Sequence, residues 1–192
     1  SLSSILSTKT AIRANALTVL PDGNLLVLIG DSLVLRTGEA WRVILRDVGE
    51  SNFSARFKQM DDGTIWLGVP DGVWRIRHDL TECSLVVESS QTSHFTSFCM
   101  DPTGDVWVVE QVFGEQTQVV RIPLKEDGSA AEREEFPVPF HADGAESSIA
   151  ARKDGTLVYG VGRHDIGLLV LDPRDGDWSE AGDDSALDTA FF

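Results

Sequence analysis

The residues best equipped for chemistry are four histidines, two cysteines and a surplus of carboxylates, and their spacing limits what they can do. His78, His94, His141 and His164 lie far apart, with no H-x-x-x-H pair to present two imidazoles to one metal ion. Cys83 and Cys99 make neither a zinc site nor a disulfide framework, and each is expected to be a small buried hydrophobe. The run 172–177, DPRDGD, has the carboxylates of a calcium loop. It lacks the alternating oxygens and the closing glutamate, so it is expected to be a hairpin turn. Gly160-Val161-Gly162 has no helix after it and cannot cradle a phosphate. No Ser/His/Asp or Cys/His arrangement stands out, so neither a metal nor a cofactor is expected.

Five tryptophans could stack on a sugar if their rings were exposed. Trp66 and Trp107, however, stand at one offset within two similar stretches, after Gly63 and Gly104 respectively. That regularity predicts a structural role for all four residues, with the rings packed between sheets.

The elements that carry these residues are short strands. Residues 57–77, FKQMDDGTIWLGVPDGVWRIR, contain three of them, separated by Asp61-Asp62-Gly63-Thr64 and Pro70-Asp71-Gly72. Asp-Gly suits a hairpin turn because glycine reaches positive φ without a Cβ clash. The β-branched and aromatic residues alongside suit a half-buried pleated surface. The same unit recurs, and its turn glycines Gly23, Gly63, Gly104 and Gly155 are 40, 41 and 51 residues apart. The last interval is longer by the insertion 125–133, KEDGSAAER, which is expected to be a loop.

Four-stranded units of about 40 residues are the mark of propeller blades. The fold expected is therefore all-β, a β-propeller of four-stranded antiparallel blades near 14–48, 54–90, 94–141 and 146–182. Residues 1–13 and 186–192 would supply partial or closing strands. Closure is open among three forms: a longer propeller, a composite blade from both ends, or two chains completing each other as a homo-oligomer.

The pattern Asp-x-Gly-x-apolar-Trp in 61–66, with Gly104-Asp105-Val106-Trp107 after Asp101 in the third unit, resembles the two-component regulator propeller repeat. The step Gly68…Gly72-Val73-Trp74 strengthens the resemblance, which implies an extracytoplasmic sensor module. The Asp-Gly turn before an aromatic strand is also similar to repeats of the virginiamycin B lyase type. That second resemblance implies a histidine and a carboxylate at one mouth of the channel. His164 with Asp165, or His141 with Asp143 and Glu146, would supply them.

Sixteen Lys and Arg against 31 Asp and Glu leave a formal net charge of −15. A field of that sign repels phosphate backbones and anionic membrane, and it steers basic proteins inward. No apolar run is long enough to span a bilayer. The function expected is a non-enzymatic, sensor-like module that binds a protein partner or small ligand on its loop face. The residues expected there are Asp71, His94, Phe113, Glu115, His141, Asp143, Glu146, Arg163, His164 and Asp165, with Phe113 either an exposed anchor or tucked under its own loop. One alternative is an acidic, immunity-type inhibitor of a basic toxin or enzyme; another is a lyase-type enzyme. An inhibitor implies the cytoplasm, and a sensor implies the periplasm or cell exterior.

Overall fold

The computed structural model describes residues 14–49, 55–112, 116–139, 147–161 and 168–181. Among them are sixteen strands and no helix. The first sheet is β1 (Ala14–Val19), β2 (Leu25–Ile29), β3 (Ser32–Thr37) and β4 (Ala40–Leu45). The second is β5 (Arg56–Gln59), β6 (Ile65–Val69), β7 (Gly72–Ile76) and β8 (Cys83–Glu88). The third comprises β9 (Ser93–Met100), β10 (Val106–Val112), β11 (Gln118–Ile122) and β12 (Glu134–Pro137). The fourth comprises β13 (Ser147–Ala151), β14 (Leu157–Val161), β15 (Leu169–Asp172) and β16 (Asp177–Glu180). Each sheet is an antiparallel meander in chain order, the blade of a β-propeller. The chain divides into two compact units, Ser1–Glu88 and Ser89–Phe192.

One turn is built repeatedly. In the second sheet the Met60 N–H donates to Thr64 O at 2.9 Å, and the Gly63 N–H returns to Met60 O at 2.9 Å. Asp62 caps the turn by accepting the Thr64 N–H at 2.8 Å. The paired backbone bonds recur at Leu20/Asn24, Asp101/Asp105 and Arg152/Thr156. Gly63 and Gly104 hold φ of 82° and 92°, a region costly for any residue with a Cβ. The insertion expected as a loop contains a fifth copy: Lys125 N–H donates to Ser129 O, and a bridge joins Leu124 to Ala130. The strand after it runs Glu134–Pro137. Beyond Pro137 the chain is held differently, as Val138 N–H donates to Thr117 O.

Each unit buries its apolar side chains between its own two sheets. In the first unit Leu26, Leu28, Leu33 and Leu35 meet Ile65, Leu67, Val69 and Ile76. In the second, Trp107, Val109 and Val119 meet Ile149, Leu157, Tyr159 and Leu171. The first strands of neighbouring sheets are also tied by polar groups. Gln59 Nε2 donates to Thr18 Oγ1 at 2.7 Å and to Val19 O at 2.6 Å. In the second unit the Thr96 and Ser147 hydroxyls lie 2.6 Å apart, and Ile149 N–H donates to Ser97 Oγ at 3.3 Å.

Candidate functional site

Hairpin geometry sorts the connections into two kinds. The turns that carry Gly23, Gly63, Gly104 and Gly155 join first to second strands at one end of each sheet. The second-to-third loops and the links between sheets emerge at the other, the loop end. At the loop end of the first unit, the β4–β5 link is laced to both sheets. Val48 N–H donates to Asp31 O at 2.9 Å, and the Trp74 indole donates to Val48 O at 3.0 Å. Gly49 follows at φ 107°, and a Cβ there would sit 2.6 Å from Asp71 Oδ2. Asp71 is thus an exposed carboxylate set on a glycine platform in the β6–β7 turn.

That contact gives a direct test. Gly49→Ala meets both backbone strain and the Asp71 carboxylate, and should cost about 2 kcal/mol in urea unfolding. Adding Asp71→Ala should restore only the part due to the clash. A loss within about 0.5 kcal/mol, the range of neutral surface changes, would mean that the link re-forms without glycine.

The second unit holds a buried carboxylate near its loop end. Glu110 is 1 % exposed on β10, opposite Phe95 of β9 and Gln118 of β11. Its Oε1 accepts the Ser93 hydroxyl at 2.6 Å. Its Oε2 accepts Gln118 Nε2 at 2.9 Å and the Arg133 guanidinium. Arg133 also reaches Glu135 at 2.9 Å. Burial pushes the Glu110 carboxyl up, but the bonds from Ser93, Gln118 and Arg133, with the Arg133 charge, hold it below the ordinary glutamate value. His94 is half-buried beside this group, opposite Gln111.

The repeat residues make a second network around Trp107. Its indole N–H donates to Asp101 Oδ2 at 2.9 Å. Asp101 Oδ1 also accepts the backbone N–H groups of Thr103 and Asp105 and the Thr103 hydroxyl. Burial raises the Asp101 carboxyl, but these four donors outweigh it and leave it below the ordinary aspartate value. Arg121, opposite Trp107 in the ladder, lies 5.8 Å from its ring and pairs with Asp105 at 2.8 Å. Trp107 is fully buried and Trp66 is 3 % exposed, so neither presents a ring to a ligand. The two rings differ in what they face. Trp107 points into the core shared with the fourth sheet, whereas Trp66 stands on the face of β6 opposite Ile65 and Leu67.

Of the residues expected at the loop face, Asp71 and His94 are described, one in each unit. Phe113, Glu115, His141, Asp143, Glu146, Arg163, His164 and Asp165 lie outside the described residues. Among the described residues, no group of three or more His, Cys, Asp or Glu side chains converges to hold a metal ion. Cys83 and Cys99 are not joined in a disulfide and lie half-buried against the two cores.

Sequence reasoning passed over Glu110 and Arg133. One signal was available, because Glu110 shares a face of its strand with Val106 and Val108, where a charge needs a partner.

All-β, four-stranded antiparallel sheets in meander order define this protein as a β-propeller chain. Solved structures agree. Virginiamycin B lyase from Staphylococcus aureus, in a catalytically inactive form with quinupristin, superposes with TM-score 0.63 at 14% identity, over 93% of this chain and 58% of the lyase. The extracellular domain described as that of a hybrid two component system from B. thetaiotaomicron gives 0.58 at 18% identity, over 97% of this chain and 24% of that one. A gluconolactonase from Xanthomonas campestris gives 0.58 at 17% identity, over 86% of this chain and 60% of its own length. The chain therefore spans less than two thirds of the length of each. Enzymes and an extracellular domain of a two component system stand together among these neighbours, and at such identities the likeness carries the fold alone. No protein-family model and no curated protein matches the sequence.

Proposed function

We propose that this chain is a non-enzymatic, sensor-like β-propeller module, built from repeats of the two-component regulator propeller kind. It binds a protein partner or a small ligand at the loop end of its sheets. One observation carries this reading: the residues that recur are spent on structure. The turn aspartates cap their own turns, and Trp107 is consumed by Asp101 and the core. The loop end differs from sheet to sheet, with a glycine-seated Asp71 in one unit and a Ser-Thr link over a buried carboxylate in the other. A constant frame with variable loops is how a scaffold carries recognition.

The net charge of −15 favours a second reading, an acidic immunity-type inhibitor of a basic enzyme. The experiment that separates them is capture of partners by the tagged chain at low and high salt, run beside a thermal-shift screen of small ligands. A module of the proposed kind gains Tm with a ligand that needs no metal, following the linkage between binding and stability. A basic enzyme held in equal amount at low salt and released at high salt would favour the inhibitor. Turnover that requires a divalent ion and is lost in His164→Ala would overturn both.

A further inference from the structure

Four side chains in the second unit form a single line of hydrogen bonds from the Glu110 carboxylate to the surface, and its polarity is fixed by the carboxylate. An ionised glutamate only accepts, so Ser93 must donate its hydroxyl proton to Oε1. Ser93 Oγ then has only lone pairs for its other neighbours. Across 2.8 Å the Ser90 hydroxyl is therefore the donor, and the Ser90 N–H joins it at 3.2 Å. Ser90 Oγ in turn accepts the Thr92 N–H at 3.3 Å, with the Thr92 hydroxyl 3.2 Å away. Every hydroxyl proton points inward, and the free lone pairs point out. Ser93 is buried at 6 % exposure, whereas Ser90 and Thr92 are exposed in the β8–β9 link. Gln118 and Arg133 hold the far carboxylate oxygen, so they fix the glutamate without reversing the line.

We propose that the Ser90–Thr92 end of this relay is a hydrogen-bond acceptor site for a cationic side chain, a lysine ammonium or arginine guanidinium, on a basic protein partner. Aligned hydroxyls polarise one another in a low-dielectric setting, so the outermost oxygen, Thr92 Oγ1, is a better acceptor than an isolated one. An ammonium or guanidinium has only donors to offer and suits such an end. The acidic charge of the whole chain brings that class of partner near and repels anions. The inference rests on the binding-module reading and names the chemistry of one contact within it.

The test is an NMR titration of the isotope-labelled full chain with an acetylated, amidated oligolysine peptide, using oligoglutamate as the control. Saturable amide shifts at Ser90 and Thr92 are expected with oligolysine alone. Ser93→Ala cuts the relay without changing net charge and should weaken that site about fivefold, the equivalent of one ordinary net hydrogen bond. Thr92→Val removes the outermost acceptor at an exposed position and should weaken it similarly if Ser93→Ala perturbs the fold. Shifts spread evenly over the acidic turns, or unchanged affinity at Ser90 and Thr92 in both variants, would overturn the proposal. In that event a ligand found in the thermal screen would still support the module. Metal-dependent turnover would instead remove the module and leave the oligolysine result standing.

Discussion

Trp107→Ala is expected to destabilise the second unit by about 4 kcal/mol, the largest loss from any single substitution in this fold. Three terms add. The ring fills the core between the third and fourth sheets, where it is fully buried and lies 5.6 Å from the Phe136 ring. Its removal opens a cavity that the strands on either side cannot collapse into, because their register is fixed by the ladders. The indole also supplies one of the four donors that hold Asp101, which closes the turn into β10. Finally, Arg121 loses the ring beneath its guanidinium, a smaller effect because Arg121 keeps its bond to Asp105. Trp107→Phe separates these contributions. It keeps most of the volume and drops the indole donor, so it should cost only about 1–2 kcal/mol. Urea unfolding of both variants measures the difference. A loss below about 1 kcal/mol for alanine would mean that the ring does not hold the two sheets together.

Much of the architecture was legible because the signals that specify it are local. An Asp-Gly pair needs no distant partner to favour positive φ, and the apolar runs at Leu25–Ile29 and 106–109 declare a strand within their own length. Repetition then converts local signals into topology: four turns at regular spacing imply four meanders. The contacts that depend on register were not legible. Glu110 and Arg133 are 23 residues apart, and only the pairing of β10 with β11 and β11 with β12 brings them together. From sequence, Arg133 is one charge among many in KEDGSAAER, a stretch whose composition suggests solvent rather than a core partner. The direction faced by a side chain was similarly hidden. Trp66 and Trp107 share an offset, yet Trp107 joins the core of its unit, whereas Trp66 stands on the face of β6 turned from Ile65 and Leu67, which pack the first unit's core.

Arg133→Met should cost about 2 kcal/mol near pH 7, and the cost should shrink on acidification. Taking the cation away leaves a carboxylate of 1 % exposure with only Ser93 and Gln118 as donors. Breaking a fully buried ion pair typically costs about 3–5 kcal/mol. Arg133 is 41% exposed, so part of its charge is already screened by water and the expected loss is lower. The sign with pH follows from the Glu110 proton. In the wild type its carboxyl is held below the ordinary value, so it contributes stability above the unfolded-state pKa. That contribution is lost as pH falls through the lower folded-state value. Protonated Glu110 has no charge for Arg133 to meet, so the penalty for Arg133→Met should be smaller near pH 3 than near pH 7. Unfolding curves at both pH values test this, with Glu135→Gln as the control, since Glu135 meets Arg133 at the surface and should cost under about 0.5 kcal/mol. A penalty for Arg133→Met that is equal at both pH values would assign the loss to the aliphatic stem rather than to the ion pair, because packing does not titrate.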